Sequence, residues 1–126
     1  MKKIIETPNA PAPIGPYSQA VLYNDTLYTS GQIAIDPATG NLVSGDITEE
    51  TKQVMKNIGA VLKEAGMGYQ DVLKTTIFIK DMNDFQKINS VYGSFFNEAT
   101  APARETVEVA RLPKDVNVEI SVLARK

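Results

Sequence analysis

Two charged side chains near the carboxyl end of the chain could do chemistry together. Arg104 presents a planar guanidinium that pairs with a carboxylate through two parallel hydrogen bonds, a match that lysine does not reproduce. Glu119 is a carboxylate that could accept a proton from water. The pattern alone leaves an ordinary alternative open, a solvated arginine and a surface ion pair worth little.

Three further features mark candidate binding positions. Residues 14–20 (IGPYSQA) place Tyr17 in a turn that leads into a strand, and residues 30–32 (SGQ) interrupt a strand with Gly31. A lone glycine in a strand indicates a bulge, or the close approach of a ligand or another backbone. Asn89 lies on a predicted helix, where an ordinary hydrogen bond to a loop would also explain it.

Composition excludes several kinds of site. The 126 residues include no Cys and no His, so thiol catalysis, disulfides, Ser-His-Asp catalysis and His-ligated zinc are impossible. The net charge of −2 gives no basic surface for nucleic acid. An enzyme built from this chain without a cofactor must therefore use a carboxylate, Lys or Tyr as its acid or base.

Length and hydropathy predict one domain over residues 1–126. The start of the chain lacks the apolar run of a signal peptide, and no apolar run approaches membrane length. We therefore expect a cytoplasmic protein with no membrane partner.

The periodicity predicts the order β-β-α-β-α-β-β, with one small strand added at the start. This order is typical of an α+β sandwich with both helices on one face of a mixed sheet. Strands separated by a helix are expected to be parallel neighbours. The predicted strands are 19–23, 26–30, 72–80, 104–111 and 116–124; the predicted helices are 47–65 and one starting near Asn83.

The last two strands predict which side chains share a face. Residues 116, 118, 120 and 122 are all apolar and should lie under the helices. The opposite face is then expected to carry Arg104, Thr106, Glu108, Asn117 and Glu119. The middle strand adds apolar groups to this second face, so we predict a homo-oligomer that buries it, with a monomer as the alternative.

Three segments, residues 14–20, 30–32 and 102–120, together resemble the Rid (YjgF) family, most closely its RidA-type branch. The resemblance covers the whole chain. It implies a chorismate-mutase-like α+β fold and a homotrimer with clefts between subunits. It also implies hydrolysis of enamines and imines such as 2-aminoacrylate, released by pyridoxal-phosphate dehydratases, to a 2-oxo acid and ammonia, without a metal or other cofactor.

The resemblance also implies roles for individual residues. Arg104 would bind the substrate carboxylate, and Glu119 would position or activate the attacking water. The residues that would line or shape the substrate pocket are Tyr17, Ser30, Gly31, Asn89 and Thr106.

One residue departs from the family pattern. Position 105, usually small, is Glu105 here. Strand alternation predicts that its side chain points away from Arg104 and leaves the anion site intact.

Two other functions stay open at this level. The same pocket could hold a 2-oxo acid or a similar metabolite without turnover, as a regulatory trimer. RNA cleavage has been suggested for relatives of the family, but the net charge of −2 and the missing His make a general nuclease chemically poor.

Overall fold

The computed structural model describes residues 1–126, and its six strands form one sheet. This confirms the predicted α+β class and the order of the elements. The strands are β1 (Lys3–Ile5), β2 (Ala20–Tyr23), β3 (Thr26–Thr29), β4 (Val72–Ile79), β5 (Ala103–Glu108) and β6 (Val118–Arg125); the helices are α1 (Ile47–Glu64) and α2 (Phe85–Gly93). Neither helix has the length and apolar character needed to cross a bilayer.

The sheet order is β1-β2-β3-β6-β4-β5. Strands β4 and β5, joined through α2, are parallel neighbours as predicted. The expectation that β3 and β4 are also neighbours is wrong, because β6 lies between them and pairs antiparallel with both. Sequence spacing cannot show this insertion, since β6 comes last in the chain.

Local sequence accounts for the ends of α1. The Asp46 carboxylate accepts a hydrogen bond from Thr48 N at 2.9 Å, which caps the helix. Gly66 follows the last turn with φ +73°, a left-handed conformation that favours glycine.

The second helix begins later than predicted. The Asp81 carboxylate caps Asn83 N at 2.9 Å, and a 3₁₀ turn over Met82–Asp84 precedes α2. Asp81 therefore supplies a cap two residues before the predicted helix start near Asn83. The helix ends at Gly93, and a separate 3₁₀ turn spans Glu98–Thr100.

The core lies between the two helices and one face of the sheet. The alternate apolar residues of β6 are buried as predicted, with Val118 and Ile120 fully so. They pack with the apolar stripe of α1, which buries Val54, Ile58 and Leu62.

No helix covers the other face of the sheet, which we call the open face. Its exposed apolar side chains are Ile4, Tyr23, Tyr28 and Val107, each between 45 and 49% exposed. Phe78 and Glu119 are register partners and lie on the same face. The sequence prediction that one sheet face would carry apolar groups in water is thus correct for the single chain.

Candidate functional site

The face on which Arg104 lies differs from the prediction. In the parallel pairing of β4 with β5, Arg104 is the partner of buried Thr75, and Thr106 is the partner of buried Ile77. Arg104, Thr106 and Glu108 therefore point toward α2, not to the face of Glu119. The reason is that β5 is the edge strand of the sheet. Polar side chains on its helix-covered face therefore lie at the solvent-exposed border of α2 and not in the core.

The prediction for two other residues is also wrong. Alternation along the strand puts Val107 on the side opposite to Arg104, the side expected to lie under the helices, but Val107 is 45% exposed on the open face beside Phe78. Asn117, expected on the open face, donates its Nδ2 hydrogen to Glu50 Oε1 on α1 at 2.8 Å. Of the five polar residues assigned to that face, Glu119 is the one that lies on it.

Arg104 is surrounded by one face of α2. Its Nη1 donates a hydrogen bond to Asn89 Oδ1, and its Cζ lies 5.6 Å from the Phe85 ring centroid and 5.4 Å from that of Tyr92. Arg104, Asn89 and Tyr92, with Phe96 and Pro102, border an open cleft of about 660 Å³ that we call the arginine cleft. The guanidinium is exposed there and able to receive an anion.

The neighbours of Arg104 leave it free to do so. The Glu105 carboxylate lies 3.4 Å from Lys74 Nζ on the open face, so the prediction that it points away from Arg104 is confirmed. Thr106 points the same way as Arg104, as expected, and its buried Oγ1 makes no hydrogen bond in the chain. This hydroxyl is a further polar group on the strand that carries Arg104.

Glu119 lies at a second cleft of about 590 Å³, which we call the glutamate cleft. A Cβ added at Gly31 would stand 2.7 Å from both Cδ and Oε1 of Glu119, so only glycine lets the carboxylate lie against this backbone. Burial raises the pKa of Glu119, because desolvation disfavours its charged form. The shift makes Glu119 a more basic carboxylate than an ordinary solvent-exposed glutamate.

Backbone pairing explains why Gly31 and Glu119 meet. Gln32 N donates to Ile120 O at 2.8 Å, and Ile120 N donates to Gln32 O at 3.1 Å. This short bridge places residues 30–32 alongside the start of β6. The close approach expected at the glycine is therefore made by the Glu119 side chain.

Ser30 and Tyr17 form another part of the glutamate cleft. Ser30 Oγ donates to Ser18 O at 2.5 Å, which ties the Tyr17 loop to the end of β3. The Tyr17 hydroxyl accepts a hydrogen bond from Ile14 N at 3.3 Å, and the side chain is 52% exposed. The structure thus brings Tyr17, Ser30, Gly31 and Glu119 together, and places Asn89, Arg104 and Thr106 elsewhere.

Sequence reasoning missed the residues that support these two clefts. Buried Gln19 donates to Thr7 O, Ala10 O and Pro11 O and accepts from Thr7 N, which fastens the proline-rich segment that walls the glutamate cleft. The available sequence signal was a glutamine that closely follows a segment with four prolines. Phe85 and Tyr92 lie four and three residues from Asn89, a spacing that places them on the same helix face.

Comparison with known proteins gives the family context. The family model described as Endoribonuclease L-PSP matches residues 7–126. A RutC family protein of Synechocystis is 58% identical, covering 97% of this chain and 95% of its own. The human protein named 2-iminobutanoate/2-iminopropanoate deaminase is 48% identical, covering 98% of this chain and 90% of its own.

Solved structures agree with these sequence relationships. The Rid family protein YyfA from Yersinia pestis is 52% identical, with a TM-score of 0.97 and complete coverage of both chains. The crystal structure of E. coli TdcF with bound serine is 45% identical, with a TM-score of 0.92 over 98% of both chains.

Proposed function

This chain belongs to the endoribonuclease L-PSP family, as its resemblance to the Rid proteins predicted, and from that premise we propose that it is an imine deaminase. Its substrates are 2-iminopropanoate, 2-iminobutanoate and their enamine forms, released by pyridoxal-phosphate dehydratases. The products are the 2-oxo acid and ammonia. The observation that carries this proposal is the 48% identity to the human deaminase over 98% of the chain.

The geometry supports a site completed by a second copy of the chain. Arg104 lies on the helix side of the sheet and Glu119 on the open face, so the two cannot meet within one protomer. They meet if the arginine cleft of one copy faces the glutamate cleft of the next. A closed ring of three copies, the homotrimer expected of the family, makes three such sites and covers the exposed apolar groups of the open face.

The ligand chemistry of the two clefts is complementary. Arg104 binds the carboxylate that every 2-imino acid carries, with Asn89 holding one guanidinium nitrogen. The E. coli TdcF structure contains serine, a small molecule with the same carboxylate. Tyr17, Ser30 and Gly31 then border the imine carbon, and Thr106 shapes the pocket beside Arg104.

Hydrolysis needs one water and one proton relay. Glu119 accepts a proton as the water oxygen attacks the C=N carbon, and returns it to nitrogen. The resulting carbinolamine then gives its hydroxyl proton to Glu119, which passes it to the nitrogen, and ammonia leaves as the C–N bond breaks and C=O forms. The raised pKa of Glu119 suits both directions of this transfer.

The acceleration required of the protein is modest because a free imine already reacts with water. Holding the carboxylate and placing one water beside the imine carbon makes the reaction effectively intramolecular, and such orientation can lower a barrier by roughly 7–11 kcal/mol in favourable cases. The chain needs no cofactor for this chemistry.

A coupled assay tests the proposal. A threonine dehydratase generates the imine, and semicarbazide traps what the protein has not hydrolysed. Arg104→Ala should abolish the acceleration while the oligomer, measured by light scattering, persists. Equal trapping with wild type and variant would reject the role of Arg104.

The alternative, a metabolite-binding regulatory trimer, uses the same pocket without turnover. Glu119→Gln separates the two functions. An enzyme loses catalysis while still binding 2-oxobutanoate. A regulator shows 2-oxobutanoate binding in both forms and no acceleration by wild type.

A further inference from the structure

One face of α2 is built around the Arg104 guanidinium. Phe85, Asn89 and Tyr92 are spaced by four and three residues, which aligns them on the helix surface. Both rings lie within the distance at which a cation is attracted by an aromatic face. We call these three residues the arginine cradle.

The cradle leaves most of the hydrogen-bonding edge of Arg104 unused. A guanidinium has five N–H donors in its plane and none on its faces. Asn89 takes one donor, and aromatic rings take none. The cradle can therefore restrict the side chain while four donors stay available for a carboxylate.

Tyr92 is itself anchored to the strand beside Arg104. Its hydroxyl donates to Thr75 Oγ1 at 3.0 Å, and Thr75 is fully buried and is the β4 register partner of Arg104. Burial raises the pKa of Tyr92, so the hydroxyl stays protonated as a donor. The Tyr92 ring is thus held beside the position on β4 that pairs with Arg104.

We propose that Tyr92 is a positioning residue for the carboxylate-binding guanidinium, with Phe85 as the second ring of the cradle. The inference rests on the proposed function of Arg104. An arginine at an exposed edge strand samples many rotamers, and a ligand that orders it loses affinity. Because the cradle already restricts the Arg104 side chain, less conformational entropy is lost when the substrate binds.

Binding of 2-oxobutanoate by calorimetry provides the first test. Tyr92→Leu removes the ring and should raise Kd, and KM for the imine, by about tenfold with kcat changed about twofold or less, since the contact acts on ground and transition states alike. Tyr92→Phe keeps the ring and should leave Kd within about twofold, although the lost bond to Thr75 lowers stability.

Tyr69→Leu is the matched control. Tyr69, like Tyr92, packs against Phe96, and its hydroxyl donates a hydrogen bond to Met55 O at 2.7 Å. Unlike Tyr92, it does not contact Arg104. It should lose stability without a change in Kd. An equal Kd increase in the Tyr69 and Tyr92 variants would overturn the inference, because it would show a general packing effect.

A spectroscopic test does not depend on function. The Arg104 side-chain Nε–H resonance in wild type should show a ring-current shift relative to Arg125, and Tyr92→Leu should remove most of it. If Tyr92→Leu fails to fold, Phe85→Leu should give a smaller change in the same direction. An unchanged resonance refutes the cradle alone, whereas a wild type that neither binds 2-oxobutanoate nor hydrolyses the imine refutes the proposed function and with it the inference.

Discussion

Arg104 and Glu119 leave the sheet on opposite faces, although only strand β4 separates the strands that carry them. Arg104 points to α2, and Glu119 points to the open face against Gly31. A reaction that needs both groups therefore needs two copies of the chain, and this requirement can be tested directly.

Mixing two inactive variants should restore activity. Arg104→Ala supplies an intact glutamate cleft, and Glu119→Gln supplies an intact arginine cleft. After the two are unfolded and refolded together in equal amounts, random assembly into rings should give about a quarter of the wild-type sites. The coupled dehydratase assay measures the recovery.

The control is the same mixture without refolding, in which each oligomer keeps its own subunits. Activity no greater than the sum of the separate variants, after refolding into mixed oligomers, would contradict a site shared between copies.

Gly31→Ala should displace the Glu119 carboxylate. The added Cβ would stand 2.7 Å from its Cδ and Oε1, closer than such contacts allow. A shift of about 1 Å in a catalytic group can cost roughly 100-fold, so we expect kcat to fall on that scale. Stability should fall as well, by an amount that unfolding in urea measures.

The double variant Gly31→Ala/Glu119→Ala separates the contact from other effects. With the carboxylate gone, the added methyl group has room, and the stability loss caused by Gly31→Ala should largely disappear. A loss that persists in the double variant would place the strain elsewhere.

Replacing Glu119 should change stability with a defined pH dependence. Burial raises its pKa in the fold, so the fold disfavours the charged carboxylate. The group's favourable contribution is present below its unfolded pKa and is lost as pH rises through the folded pKa. Glu119→Gln should therefore be the more stable form at pH 7, and this difference should shrink in acid.

The activity of wild type provides the matching kinetic observation. A base with a raised pKa puts the acid limb of the rate–pH profile above the usual range for glutamate. An acid limb within or below that range would argue against Glu119 as the group that takes the proton.

Glu50→Gln should destabilise the loop that leads into β6. Glu50 is 2% exposed and accepts hydrogen bonds from Asn117 N and Nδ2, both at 2.8 Å. A glutamine at this position has one carbonyl oxygen, which can accept from only one of the two Asn117 donors. Its NH₂ group then faces the other donor, and the lost hydrogen bond costs about 1–3 kcal/mol of stability. Urea unfolding measures the loss.

Glu49→Gln is the matched control, since that neighbouring side chain is exposed and pairs only with Lys52 at 3.7 Å. Its effect should stay below about 1 kcal/mol. Equal losses in the two variants would show that Asn117 does not depend on Glu50.

The protein should not cleave RNA, although its family model is described as an endoribonuclease. The chain has a net charge of −2 and no His to act as a nuclease acid or base. Incubation of labelled RNA with protein purified to homogeneity should leave the RNA intact. Cleavage that persists in highly purified wild type and is lost in Glu119→Gln would contradict this.

Much of the fold and several site residues could be predicted from the sequence because they depend on local patterns. Apolar alternation in β6, the stripe of α1 and the positive-φ turn at Asn24 and Asp25 each involve near neighbours in the chain. Alternation also predicted correctly that Glu105 points away from Arg104. The resemblance to the Rid proteins supplied the family and, with it, the candidate roles.

The tertiary structure decided which side of the sheet each charged group occupies. Alternation shows that Arg104 and Thr106 share a face, but only the parallel register with Thr75 and Ile77 shows that it is the face of α2. The position of β6 between β3 and β4 is equally non-local. Local spacing sets the period of a strand and says nothing of its partner, because pairing is chosen by the burial that the whole sheet achieves.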